Sequence, residues 1–134
     1  LAAGVNRLDY YTSFSEKVKE TKRKVLDFLI HARREGKTIV GYGAPAKAVT
    51  LLSYCGVGPD LIRFTVDRSS HKQGRLLPGS RIPIYAPDRI KETRPDYVLI
   101  FPWNIKDEII AQMDYVRSWG AKFIVPIPEL TIVP

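Results

Sequence analysis

The 134-residue sequence predicts an α/β domain of the small Rossmann-like kind, an open, mainly parallel sheet of about five strands with helices on both faces. Three observations carry that expectation. Short β-branched or apolar runs alternate with stretches of helical period, the order that builds right-handed crossovers between parallel strands. One run, Tyr97–Phe101 (YVLIF), is apolar throughout, as suits a strand covered on both faces. A glycine turn, Gly41-Tyr42-Gly43-Ala44-Pro45-Ala46, stands between a strand-like run and a helix-like one.

Residues 1–12 show no hydrophobic period and read as a lead-in or linker from a preceding domain; residues 13–134 form the domain itself. Ser13 and Glu16 have the spacing of a capping box. Phe14, Val18, Val25, Phe28 and Ala32 then keep one face apolar until Gly36, a helix of about six turns. Thr38–Tyr42 is the first strand. Pro45, which loses no hydrogen bond in a first helical turn, opens a helix from Ala46 to Tyr54 that Gly56 closes. Arg63–Asp67 reads as the second strand and Arg68–Arg81 as a basic loop. Ile82–Tyr85 is confined to an edge by Pro83, and Pro87–Thr93 makes a short helix. After Tyr97–Phe101, Asn104 is expected to cap a helix with the stripe Ile105, Ile109, Met113 and Val116, stopped by Gly120. Lys122–Ile127 is expected to be the last strand.

Composition narrows the function classes. Cys55 is the lone cysteine, which excludes a disulfide framework and any paired-cysteine metal knuckle and fits a reducing cytoplasm. No apolar run reaches the roughly 18 residues of a membrane span. The chain starts Leu1-Ala2-Ala3-Gly4, without an initiator Met or the apolar core of a signal peptide, the start expected of a piece of a longer protein. The net charge of +7 is uneven: Arg63, Arg68, Lys72, Arg75 and Arg81 face only Asp60 and Asp67 in mid-chain, which points to an anionic partner. Nucleic acid is disfavoured, because no tract interleaves clustered cations with stacking aromatics.

The glycine turn satisfies G-x-G-x-x-[GA]. Gly41 permits a tight turn, Gly43 lets Ala44 and its neighbours bring backbone amides to a phosphate, and Ala46 permits close helix packing. Lys47, the sole charge between Thr38 and Pro59, opposes the helix dipole unless an anion offsets it. Asp67 stands where such folds place a ribose-binding acid. Lys72 and Arg75 can pair with phosphates, Gln73 accompanies them, and Gly74 and Gly79 allow close backbone approach. Trp103 can stack on a base or sugar, beside Asn104. The catalytic inventory is thin. Cys55 reads as buried, His31 as a surface or packing residue, and Tyr10, Tyr11, Tyr42 and Tyr54 as core or edge residues. His71 has no identifiable carboxylate partner. These residues describe a binding domain without its own catalytic group or metal. A nicotinamide- or coenzyme-A-binding domain and a ligand-free structural or dimerisation domain remain open readings.

Three segments carry a resemblance: Val40–Lys47 with Thr50–Gly56, Asp67 with His71–Gly79 to Ile84, and Pro95–Asn104. Together they resemble the C-terminal domain of bacterial sugar C-methyltransferases, which act on nucleotide-linked deoxyketosugars. The resemblance implies a three-part enzyme in which zinc-binding and S-adenosylmethionine-binding domains precede Leu1 and hold the methyl donor and the base. The present domain would need no cofactor, would be inactive alone, and would help hold a nucleotide-diphosphate sugar. It implies binding roles for Gly43, Ala44, Lys47, Lys72, Gln73, Arg75, Trp103 and Asn104. Ala48-Val49 and Ser53 stand where many relatives have Gly-Asn and Asn, which leaves the sugar open.

Overall fold

Four residues, Ile39–Tyr42 (β1), form the middle of the sheet and are buried along their whole length. The computed structural model describes residues 19–126 and 130–134. A helix over residues 19–34 (α1) precedes β1. After it come α2 (Ala46–Cys55), β2 (Thr65–Val66), β3 (Ile84–Tyr85), α3 (Arg89–Thr93), β4 (Tyr97–Ile100), α4 (Lys106–Gln112), β5 (Lys122–Val125) and β6 (Thr131–Val133). The capping box at Ser13 and Glu16, the apolar positions Phe14 and Val18, Tyr10 and Tyr11, the 1–12 lead-in and Ile127 lie outside the described residues.

The strands lie in the order β3-β2-β1-β4-β5-β6. All neighbours are parallel except β6, which runs antiparallel to β5. Alternation of side chains along the strands divides the core in two. Ile39, Leu99, Phe101 and Ile124 meet Val25, Leu29 and Ala32 of α1 and Ala48, Leu52 and Cys55 of α2. Val40, Tyr42, Val98, Ile100, Phe123 and Val125 meet Ile90 of α3 and Ile109 of α4, with Met113 and Val116 beyond it. Helices therefore cover both faces, as the apolar β4 run requires.

The sheet has six strands rather than about five. Thr131–Val133 pairs with β5 yet stays largely exposed, so it lacks the apolar run that marks the central strands. The helix expected from Asn104 to Gly120 is also interrupted. Asn104 lies inside a 3-10 turn, Trp103–Ile105, and no side chain caps α4. After Met113 the chain winds as a second 3-10 segment, Asp114–Trp119. The spacing explains the change: Ile109 and Met113 are four apart, whereas Met113, Val116 and Trp119 are three apart and align in 3-10 geometry. Tyr54 is exposed, not core, with the Lys22 Nζ 5.1 Å from its ring centroid. Cys55 is buried and His31 exposed, as expected.

Candidate functional site

The carboxyl ends of the central strands gather the predicted residues. The chain leaves β1 at Gly43, whose φ of +97° favours glycine and where a Cβ would fall 2.8 Å from Pro102 Cδ. The Gly43 amide donates to the Val66 carbonyl at 2.6 Å, and the buried Thr65 hydroxyl donates to the Gly43 carbonyl at 2.6 Å. Gly41 has a different task from the one expected. It lies inside β1, not in the turn, and a Cβ there would sit 2.5 Å from Phe101 Cε2 and 2.8 Å from Thr65 Oγ1. Ala46 is exposed, so it is not the close-packing residue; Ala48, fully buried against the sheet, fills that place. Ala48 and the half-buried Val49 both belong to the core packing of α2.

The turn after β1 and the basic loop after β2 are tied together. The Asp67 carboxylate accepts the Ala44 amide on Oδ2 at 2.9 Å and the Ser69 amide on Oδ1 at 2.8 Å. The Lys72 ammonium donates to the Ala44 carbonyl at 3.1 Å and stands 3.9 Å from Asp67 Oδ2. Gln73 Nε2 donates to the Asp67 carbonyl at 2.8 Å. Beyond Gln73 the loop turns back along β3: the Gly74 amide donates to Ile84, the Ile84 amide to Arg75, and the Leu77 amide to Ile82. Arg75 is exposed; its amide donates to the Lys72 carbonyl at 3.2 Å and its carbonyl accepts the Ile84 amide. Gly79 closes against α2, where a Cβ would meet Ser53 Oγ at 2.8 Å.

Helix α2 points its first turn at the same edge with no capping side chain and no acidic residue there, and Lys47 is its second residue. Trp103 is half-buried against the β4–α4 face, and Asn104 is exposed. His71 is exposed in the basic loop.

A crevice of about 240 Å³ opens beside the turn, where the strand order reverses between β1 and β4. Tyr42, Arg68, Pro102, Glu108 and Gln112 line it with Asp67. Burial holds the Tyr42 phenol above its ordinary value, Arg68 opposing the shift and Asp67 adding to it, so the hydroxyl stays a donor near neutral pH. Tyr42, the residue between the two glycines of the motif, and Arg68, the residue after the acid, were within reach of sequence reasoning. Glu108 and Gln112 were not, since nothing in a helix's exposed face marks it as the wall of a crevice.

No described helix is long and apolar enough to cross a membrane. In fold the chain is similar to UDP-D-quinovosamine 4-dehydrogenase from Vibrio fischeri, with a TM-score of 0.53 over 73% of this chain and 93% of that one. At 20% identity that likeness is one of architecture, and it agrees with the Rossmann-like expectation. In sequence it is 40% identical over 130 residues to the C-methyltransferase NovU of Streptomyces niveus. The alignment takes in 97% of this chain and 31% of NovU, so the chain spans about a third of that relative's length. Residues 1–128 match the C-methyltransferase C-terminal domain. With that match over nearly its whole length, the chain belongs to the C-methyltransferase C-terminal domain family.

Proposed function

We propose that this chain is the C-terminal domain of an S-adenosylmethionine-dependent sugar C-methyltransferase and helps bind a nucleotide-diphosphate sugar, a thymidine-linked deoxyketosugar fitting best. The methyl donor, the zinc and the proton-abstracting base belong to domains preceding this one, its partners in a cytoplasmic enzyme, and the domain by itself performs no transfer. The observation that carries the reading is the contact between the two loops, Lys72 Nζ to the Ala44 carbonyl at 3.1 Å. It brings cationic chain to a helix start that lacks any acidic side chain of its own. A diphosphate there gains the favourable end of the α2 dipole and charge from Lys47, Lys72 and Arg75, beside a turn whose shape Gly43 and Ala44 fix through their own hydrogen bonds. Gln73, Gly74, Trp103 and Asn104 complete the set on the nucleoside and sugar side.

Nicotinamide or coenzyme A fits less well. A dinucleotide needs an accessible acid for its ribose, and the Asp67 carboxylate, which accepts two backbone amides, is only 17% exposed. Calorimetry with thymidine diphosphate tests the proposal. Binding is expected, weakened about tenfold in Lys47→Ala and in Arg75→Ala, the scale of one charge-assisted hydrogen bond. An absence of heat with the unaltered chain, or constants untouched by both substitutions, would leave a structural domain without this ligand. Tighter binding of NAD than of thymidine diphosphate would restore the dinucleotide reading.

A further inference from the structure

The hydrogen bonds of Asp67 assign it a task different from that of the acid at the end of the second strand in dinucleotide-binding folds. We propose that Asp67 is a positioning residue, a built-in anion that locks the glycine turn and Lys72 into the geometry that receives a phosphate. The inference rests on the phosphate-binding reading above and deepens it.

The geometry has four parts. Each carboxylate oxygen is committed to one backbone amide, Ala44 on one side and Ser69 on the other, so the side chain spans the gap between the two loops. The carboxylate is largely shielded, its side chain 17% exposed, which strengthens those bonds and leaves little surface for a ribose hydroxyl. Lys72, whose side chain is 46% exposed, is held on its inner side by the Ala44 carbonyl and by Asp67 Oδ2, with its outer side open to solvent. An ammonium fixed in this way loses less rotamer freedom on meeting a phosphate than a free lysine does. Gln73 holds the main chain of Asp67 itself, which fixes the position from which the carboxylate reaches the turn.

A ribose ligand and a strap give opposite signatures, and two probes separate them: inorganic pyrophosphate, which has no ribose, and thymidine diphosphate. In the 134-residue chain, Asp67→Asn keeps one acceptor and loses the other. The expected result is an equal loss for both probes, about tenfold, because the effect passes through the turn and Lys72. In a Lys72→Met background the same substitution should cost much less, and Asp67→Glu should recover part of the loss. Loss for thymidine diphosphate with pyrophosphate unchanged would make Asp67 a ribose ligand and overturn the proposal. Unchanged or tighter binding of both probes would also overturn it. Amide hydrogen exchange at Ala44 reads the strap without ligand: Asp67→Asn should speed it about tenfold or more, and an unchanged rate refutes the strap. If the unaltered chain binds neither probe, the proposed function fails, while the Ala44 exchange rate still judges the strap.

Discussion

At the scale of single residues, Gly41, Gly43 and Asp67 each do something that the motif alone does not specify. In the motif both glycines belong to the turn. In the molecule Gly43 alone makes the turn, and Gly41 makes room in β1 for the Phe101 ring and the Thr65 hydroxyl. Gly41→Ala therefore forces buried atoms apart, and we expect it to cost about 2–3 kcal/mol, read as a lower urea midpoint with an unchanged slope. An unchanged midpoint would mean that Phe101 swings aside freely. Of the candidate site residues, Gly43, Ala44, Lys47, Asp67, Lys72 and Gln73 were legible because their order along the chain reflects a strand–turn–helix unit and the strand end that follows. Their partners were not. That Asp67 bonds to Ala44, 23 residues earlier, depends on the parallel pairing of β1 and β2, which no local pattern encodes.

At the scale of elements, strands and helices were legible wherever hydrophobic period was strong, and misread where two periods met. The second half of the helix expected after Trp103 carries apolar residues three apart, and it winds as 3-10. Asn104, a good capping residue by type, makes no capping bond there. Asn104→Ala should thus change unfolding free energy by less than about 0.5 kcal/mol, as ordinary surface substitutions do, where a true N-cap would cost about 1 kcal/mol. Thermal melting checks this. The face built from α3 and the segment after α4 sets cations over aromatic rings. Arg89 lies over Tyr85, Lys91 over Tyr115 and Arg94 over Trp119, at 4.6, 4.9 and 5.3 Å from the ring centroids. Two of the three pairs join residues more than twenty positions apart in sequence. The pairs act as clasps between elements, each worth about 0.5–1 kcal/mol at exposed sites.

At the scale of the whole molecule, burial tunes several ionisable groups in the same direction. Desolvation raises Cys55 above its reference value of 9.0 and Tyr42 and Tyr115 above 10.0; Lys22 partly opposes the first, and Asp88 adds to the last. Each group prefers its neutral form when folded. The stability they contribute is complete below the unfolded values and is lost as pH rises through the higher folded ones. Urea midpoints are expected to hold from neutral pH to about pH 8.5 and fall beyond about pH 9.5, with Tyr42→Phe making the fall shallower. A flat profile through about pH 10.5 would contradict it.

The amino-acid order by itself determined the class, the succession of the five parallel strands, and the chemistry available at the sheet's carboxyl edge, because period, turn chemistry and charge are local properties of a chain. It also carried the family resemblance, through motifs longer than any turn. Only the tertiary structure decided which of those residues are spent on one another. Asp67 is held by two amides, Lys72 is anchored to the turn, and the crevice wall is completed by Glu108 and Gln112 of α4. Such assignments follow from strand order and packing, which set the partners of every buried polar group and lie beyond the reach of a reading taken one segment at a time.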